Sequence, residues 1–359
     1  MSNHRLCTHD ELPAWLKDNG FIISGYRPTF RHDTVAKCWG SVWGYFHNET
    51  INIHTHLWGA VFSIALLFLH ALHHFSLFPS FLEPIAYHSI FSPPHIPSSL
   101  SSPSSSWSSA NSSPNDWKDI VGFTIFLLSS VTCLTLSSSF HTLSCHSRHL
   151  AHKFNKLDYV GIVVMIVGSF LPALHYGFYC RPLWQLVYGS GISVLGAGAA
   201  YVVLAPHYAT PAYRPVRTAI FLALGLSAVV PVAHGVAIYG VRILDLTMGV
   251  RWLALEGALY VTGALLYALR IPERFARGRF DLFGASHQIF HFFILLAALS
   301  HYVALRRAYT FWHMSAFTIS SSSSSFSTER RTGTEAGMMA LDVGRRAVCL
   351  GIDSWREAL

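Results

Sequence analysis

Apolar residues in this chain gather in long blocks instead of alternating with polar ones. Crossing the hydrocarbon core of a bilayer takes about 20 residues of helix. Seven blocks approach or exceed that length, at roughly 54–76, 119–141, 158–179, 183–204, 217–240, 250–270 and 284–305. Within lipid a chain must satisfy its own backbone hydrogen bonds, so each block is read as a helix. The fourth block, LVYGSGISVLGAGAAYVVL, is rich in Gly and Ala, which lets membrane helices approach closely. The fifth carries Pro231, which predicts a kink. The sixth holds Glu256, whose carboxylate is expected to pair with a polar neighbour in the bundle. The predicted fold is all-α, an integral membrane seven-helix bundle.

Composition agrees with this pattern. Of 359 residues, 52% are hydrophobic and 12% charged, against about 25% charged in soluble proteins. A soluble enzyme is thereby excluded. The net charge of +7 raises nucleic acid as a partner, but the basic residues lie in short segments between apolar blocks, where topology explains them. Fourteen Lys and Arg fall on one set of alternate segments, the N-terminal one included, against four on the other. The N-terminus is therefore read as cytosolic and the C-terminus as lying on the opposite side. Arg306 and Arg307 run against this count, with less weight because they follow the last block. The location expected is the plasma membrane or the endoplasmic reticulum. The first 50 residues show no signal-peptide pattern, so the first helix is expected to serve as the targeting signal. Six scattered cysteines support neither a disulfide framework nor a thiolate zinc site.

The chain divides into a cytosolic N-terminal segment, 1–53, a seven-helix membrane domain, 54–312, and a tail, 313–359. Residues 92–116 are Ser- and Pro-rich and are expected to form a disordered loop carrying a glycosylation sequon at Asn111. The tail, with its Ser run at 320–325, is expected to be disordered as well.

Chemistry enters through the 22 histidines. His70, His73 and His74 fall at headgroup depth and His4, His9 and His32 in a polar segment, where solvated imidazoles need no further role. His287 and His291 differ, because a spacing of four puts both on one helical face. Ser137 and His141 share a face in the same way at the end of the second block, and Asp158 opens the third. The charge count, made without regard to these residues, puts His141, His287, His291 and Asp158 at cytosolic helix ends. Three imidazoles with one open position form the donor set of a catalytic zinc. Asp158 would be a fourth ligand or would hold a zinc-bound water. The plainer alternative is a pair of histidines hydrogen-bonded between helices without metal.

Three long segments at these residues resemble the progestin and adiponectin receptor family, also called haemolysin III-related. They are NGFIISGYRPTFRHDTVAKCWGSVWGYFHNETINIHTHLWG at 19–59, SSSFHTLSCHSRHLAHKFNKLDYVGI at 137–162 and HQIFHFFILLAALSHYVAL at 287–305, with SAVVPVAHG in the fifth block. The likeness runs over residues 19–312, and the Ser-rich insertion and the tail depart from it. It implies a seven-helix fold with a cytosolic N-terminus and zinc on His141, His287 and His291. It further implies that Asp158 acts through water, that Ser137 belongs to the same site, and that Tyr159 and Arg217 face a cavity that takes a fatty-acid carboxylate. The function expected is hydrolysis of a lipid amide such as ceramide, with Asp158 and Ser137 catalytic. The alternative is a receptor in which zinc is structural and an extracellular protein or a steroid binds outside. A transporter is disfavoured, since the sequence shows no ring of like charges and no paired interrupted helices.

Overall fold

A computed structural model describes residues 6–74, 117–209, 211–323 and Cys349. The described residues are mostly helical and contain no strand beyond a single bridge between Cys7 and Tyr26. A short helix, α1 (Val35–Gly44), is followed by α2 (Thr50–His74), α3 (Trp117–Leu143), α4 (Arg148–Gly177), α5 (Pro182–Leu204), α6 (Arg214–Leu226), α7 (Val229–Met248), α8 (Val250–Leu269) and α9 (Ser286–Ser323). Seven spans are long and apolar enough to cross a membrane, with α6 and α7 together making the fifth. Large apolar side chains such as Leu186, Val194, Tyr201, Val229, Leu255 and Leu296 point outward. Polar groups turn inward to partners, as Ser63 does to Ser130 and Tyr176 to Asp119. That inversion is what a lipid surround demands.

The break in the fifth span follows from Pro231. Proline has no N–H to give the Ser227 carbonyl, and that carbonyl accepts from Val230 N instead. The turn tightens and α7 starts anew at Val229. The helical geometry of α7 lapses at Gly240, where φ is 77°, which is also where the apolar block ends. The third helix starts ten residues before the apolar block predicts, at Arg148, with the Ser147 side chain accepting from Leu150 N. Hydropathy reads only the lipid-buried part of a helix, and α4 extends beyond it through Arg148, His152, Lys153 and Lys156. The amphipathic α1, with Trp39 and Trp43 exposed, is too short to register as an apolar block.

Small residues bring helices together most closely at a different place from the one expected. On α4, an added Cβ at Gly161 would lie 3.0 Å from the Cys133 backbone, and one at Gly168 would overlap Ser129, so α3 and α4 meet there. In the Gly-rich α5, Gly196 packs on Val167 but Gly191 and Gly198 face nothing within 4 Å. The cysteine reading also needs correction. Cys180, just past α4, is bonded to Cys349, 169 residues on, with Cα atoms 5.6 Å apart. No spacing motif announces a bridge of that separation. The helix α9 runs to Ser323, past the boundary drawn at 312. The loop 92–116 and the rest of the tail lie outside the described residues.

Gly249 joins α7 to α8 without a loop, at φ 74°, with the Ala304 backbone 2.8 Å from where a Cβ would sit. Gly249→Ala should lower stability by about 1–3 kcal/mol, seen as a reduced Tm of the purified protein. Gly198→Ala, facing open space, should leave Tm unchanged.

Candidate metal centre

The last turn of α3 carries His141 and the first two turns of α9 carry His287 and His291. One ring nitrogen from each lies within 4.8 Å of the others. The His287 and His291 rings are each 4.9 Å from that of His141.

Local chemistry fixes these helix ends. The final carbonyls of α3 would be orphaned at its C-terminus, but the buried Arg27 guanidinium donates to the carbonyls of His141 and Thr142 and to Ser41 Oγ. At the start of α9, Ser286 donates its N–H and its hydroxyl to Glu273, a carboxylate well placed at a helix N-terminus. Gln288 then ties α9 to the segment before α2, donating to the carbonyls of Asn48 and Leu282. The N-terminal segment is held to the same end, since Asp281 accepts from Ile23 N and Ser24 Oγ.

A second layer fixes the rings. His141 Nδ1 lies 2.7 Å from Glu49 Oε2, which also accepts from Asn52 Nδ2 at 2.7 Å. Burial alone would push the Glu49 carboxyl up. Hydrogen bonds from His141 and the Asn52 amide instead favour its anionic form. His291 Nδ1 lies 3.1 Å from the Asn52 carbonyl and 3.4 Å from Thr55 Oγ1. With both Nδ1 atoms engaged in this way, Nε2 of each ring carries the free lone pair. His141 is 1% exposed, and its Nε2 is buried without a hydrogen-bond partner among the described residues. A buried imidazole nitrogen left in that state suits a metal better than it suits an apolar bundle. The donor set therefore fits a metal ion that takes imidazole. His56 stacks on His291 with ring centroids 3.7 Å apart.

The cluster opens onto a cavity of about 720 Å³ that runs up through the bundle. Asp158 and Ser137 line it as hydrogen-bonding neighbours. Tyr159 and Arg217 line it too, as a cation–π pair at 4.9 Å, and Arg217 Nη1 also donates to the Tyr208 carbonyl. Tyr267 packs on His287 and carries Arg214 over its other neighbouring space, the guanidinium carbon 4.9 Å from the ring centre. Thus the three histidines are brought together, and Asp158, Ser137, Tyr159 and Arg217 face the adjoining cavity. Sequence reasoning missed Glu49, Asn52, Thr55 and His56. The signal available was their recurrence at helical spacing in the polar first turns of an otherwise apolar span.

Comparison with known proteins bears on the same residues. The sequence profile described as haemolysin-III related matches residues 44–302, well over half of the chain. The chain is 37% identical over 300 residues to the adiponectin receptor protein of Drosophila melanogaster, covering 83% of this chain and 58% of that one. It is 37% identical over 303 residues to the progestin and adipoQ receptor-like protein 1 of Caenorhabditis elegans, covering 84% and 60%. With the ADIPOR-like receptor IZH1 of Eremothecium gossypii the identity is 35% over 309 residues, covering 86% of each. The chain thus spans little more than half the length of the two animal relatives and most of the fungal one.

If Glu49 holds His141 as a ligand, Glu49→Ala should lower metal affinity roughly 10- to 100-fold. Metal content of the purified protein across a chelator titration measures this. An unchanged titration would show that His141 needs no such support.

Proposed function

The chain belongs to the haemolysin III-related family, and from that premise we propose that it is a zinc-dependent membrane hydrolase of a lipid amide, of which ceramide is the type. The observation that carries this reading is the buried, partnerless Nε2 of His141 beside His287 and His291, at the mouth of a cavity lined by Asp158 and Ser137. Three neutral imidazoles are the donor set of a catalytic and not of a closed structural site. Zinc held by His141, His287 and His291 would supply a nucleophilic water near neutral pH and a Lewis acid for the amide carbonyl.

The chain's own residues do the rest. Asp158 orients the attacking water and takes its proton, then returns a proton to the departing amine. Ser137 Oγ donates to the oxygen that gains charge as the carbonyl is attacked. Arg217, its plane against Tyr159, holds the carboxylate of the released fatty acid. Glu49 and the Asn52 carbonyl keep two of the ligand rings in the required tautomer. The break between α6 and α7 contributes Gly225, Ala228, Val229 and Pro231 to the cavity wall, where an acyl chain would enter from the bilayer.

Orientation follows two independent supports. The charge count puts the N-terminus and the histidine cluster in the cytosol. The Cys180–Cys349 bridge lies past the far end of α4, where an oxidising compartment is needed.

One observation favours a second reading. The centre ties α3 to α9, and α2 holds both through Glu49 and Asn52, so zinc there would also staple three helices. Such a staple suits a receptor that answers an outside protein or steroid ligand, in keeping with the receptor names of its relatives.

Purified protein should release fatty acid from ceramide, and His287→Ala or Asp158→Asn should cut the rate at least about 100-fold. Rates that stay at the unsubstituted level sink the hydrolase reading. Chelation should abolish turnover while shifting Tm little. A large fall in Tm with no turnover to lose assigns the site to the receptor reading.

A further inference from the structure

The cavity has a second polar pole, away from the histidine cluster. Glu256 on α8 and His301 on α9 both line it, and Glu256 Oε2 lies 2.8 Å from His301 Nδ1. His301 is 2% exposed, and its Nε2 is buried with no hydrogen-bond partner among the described residues. An ionisable pair in the middle of a membrane bundle is costly to keep. Joining α8 to α9 does not require it, because Ser300 Oγ already donates to the Trp252 carbonyl one residue away on α9. With Nδ1–H given to the carboxylate, Nε2 is a lone-pair acceptor, and the second oxygen of Glu256 is another. The pole therefore offers acceptors to whatever fills the cavity beside it. His301 stands ten residues beyond His291 on the same helix, which is about 15 Å along its axis.

We propose that Glu256 and His301 form a second binding subsite, which recognises a hydroxyl carried part-way along the hydrocarbon chain of the bound lipid. This rests on the lipid reading of the cavity given above, though not on hydrolysis. A hydroxyl placed against the aliphatic stretches of the wall would lose its water and gain nothing. One placed about 15 Å from the cluster donates to His301 Nε2 or to Glu256. The subsite thus selects hydroxylated chains and sets how far along the chain the hydroxyl must lie.

The test is direct binding to the full-length protein, by displacement of a fluorescent fatty acid. The competitors are long-chain fatty acids, unsubstituted or with one hydroxyl stepped along the chain. One hydroxyl position should bind roughly ten- to hundred-fold tighter than the unsubstituted acid. That gain should vanish in Glu256→Gln and His301→Phe, with affinity for the unsubstituted acid and metal content retained. A ketone at the favoured position should show no gain. This arm uses the unsubstituted protein alone and so does not depend on the variants folding. Equal gain from the ketone would assign the pole to the nearby Tyr260 hydroxyl as donor and overturn the proposal. Binding of the unsubstituted acid with no favoured hydroxyl position also overturns it, and leaves the lipid reading standing. Failure of every acid to bind would sink both.

Discussion

A histidine that binds metal almost always has its other ring nitrogen held by a hydrogen bond, and Glu49 makes such a bond to Nδ1 of His141. Much of the site depends on it. Glu49 sits one residue before α2, so its carboxylate meets the N-terminal end of that helix while accepting from Asn52. The Asn52 carbonyl in turn faces His291, so one helix start orients rings on two other helices. Arg27 closes the end of α3 and Glu273 the start of α9, each from outside the spans. The non-membrane segments therefore organise the chemistry at this end as much as the spans do.

The rest of the bundle shows what is unusual about the cavity. In a lipid surround an unpaired polar group is expensive, and many polar groups of the spans are paired: Ser63 with Ser130, Asp119 with Tyr176, Asp245 with Arg251. The nitrogens of His141 and His301 that lack partners both belong to groups at the cavity. Other buried polar atoms among the described residues also lack a partner, including both ring nitrogens of His56, which lines the same cavity. The family profile, at residues 44–302, takes in the three histidines and reaches Glu256 and His301, and of the disulfide it includes Cys180 but not Cys349.

Much of the architecture was legible because membrane insertion is a local property. Length and hydropathy suffice to mark a span, and the seven blocks correspond to seven spans, though the fifth runs on to Met248 past the kink at Gly240. What lay beyond lipid was less legible. The polar first turns of α4 and the short α1 read as loop, because nothing forces a helix outside the membrane to be apolar. The closest small-residue packing fell at Gly161 and Gly168, since a glycine gains meaning only from the helix that faces it.

The candidate site divides along the same line. By itself the sequence determined that His287 and His291 share a face, as do Ser137 and His141, and that the three histidines lie at matching depth with Asp158. Helical periodicity and span edges carry that information. Tertiary structure alone decided that Glu49 would reach His141 across 92 residues, that Arg27 would cap α3 across more than a hundred, and that Cys180 would meet Cys349. It also decided that Glu256 would find His301. Each of these depends on which helices become neighbours and how they are rotated, and a carboxylate looks the same along the chain whether it faces water or an imidazole.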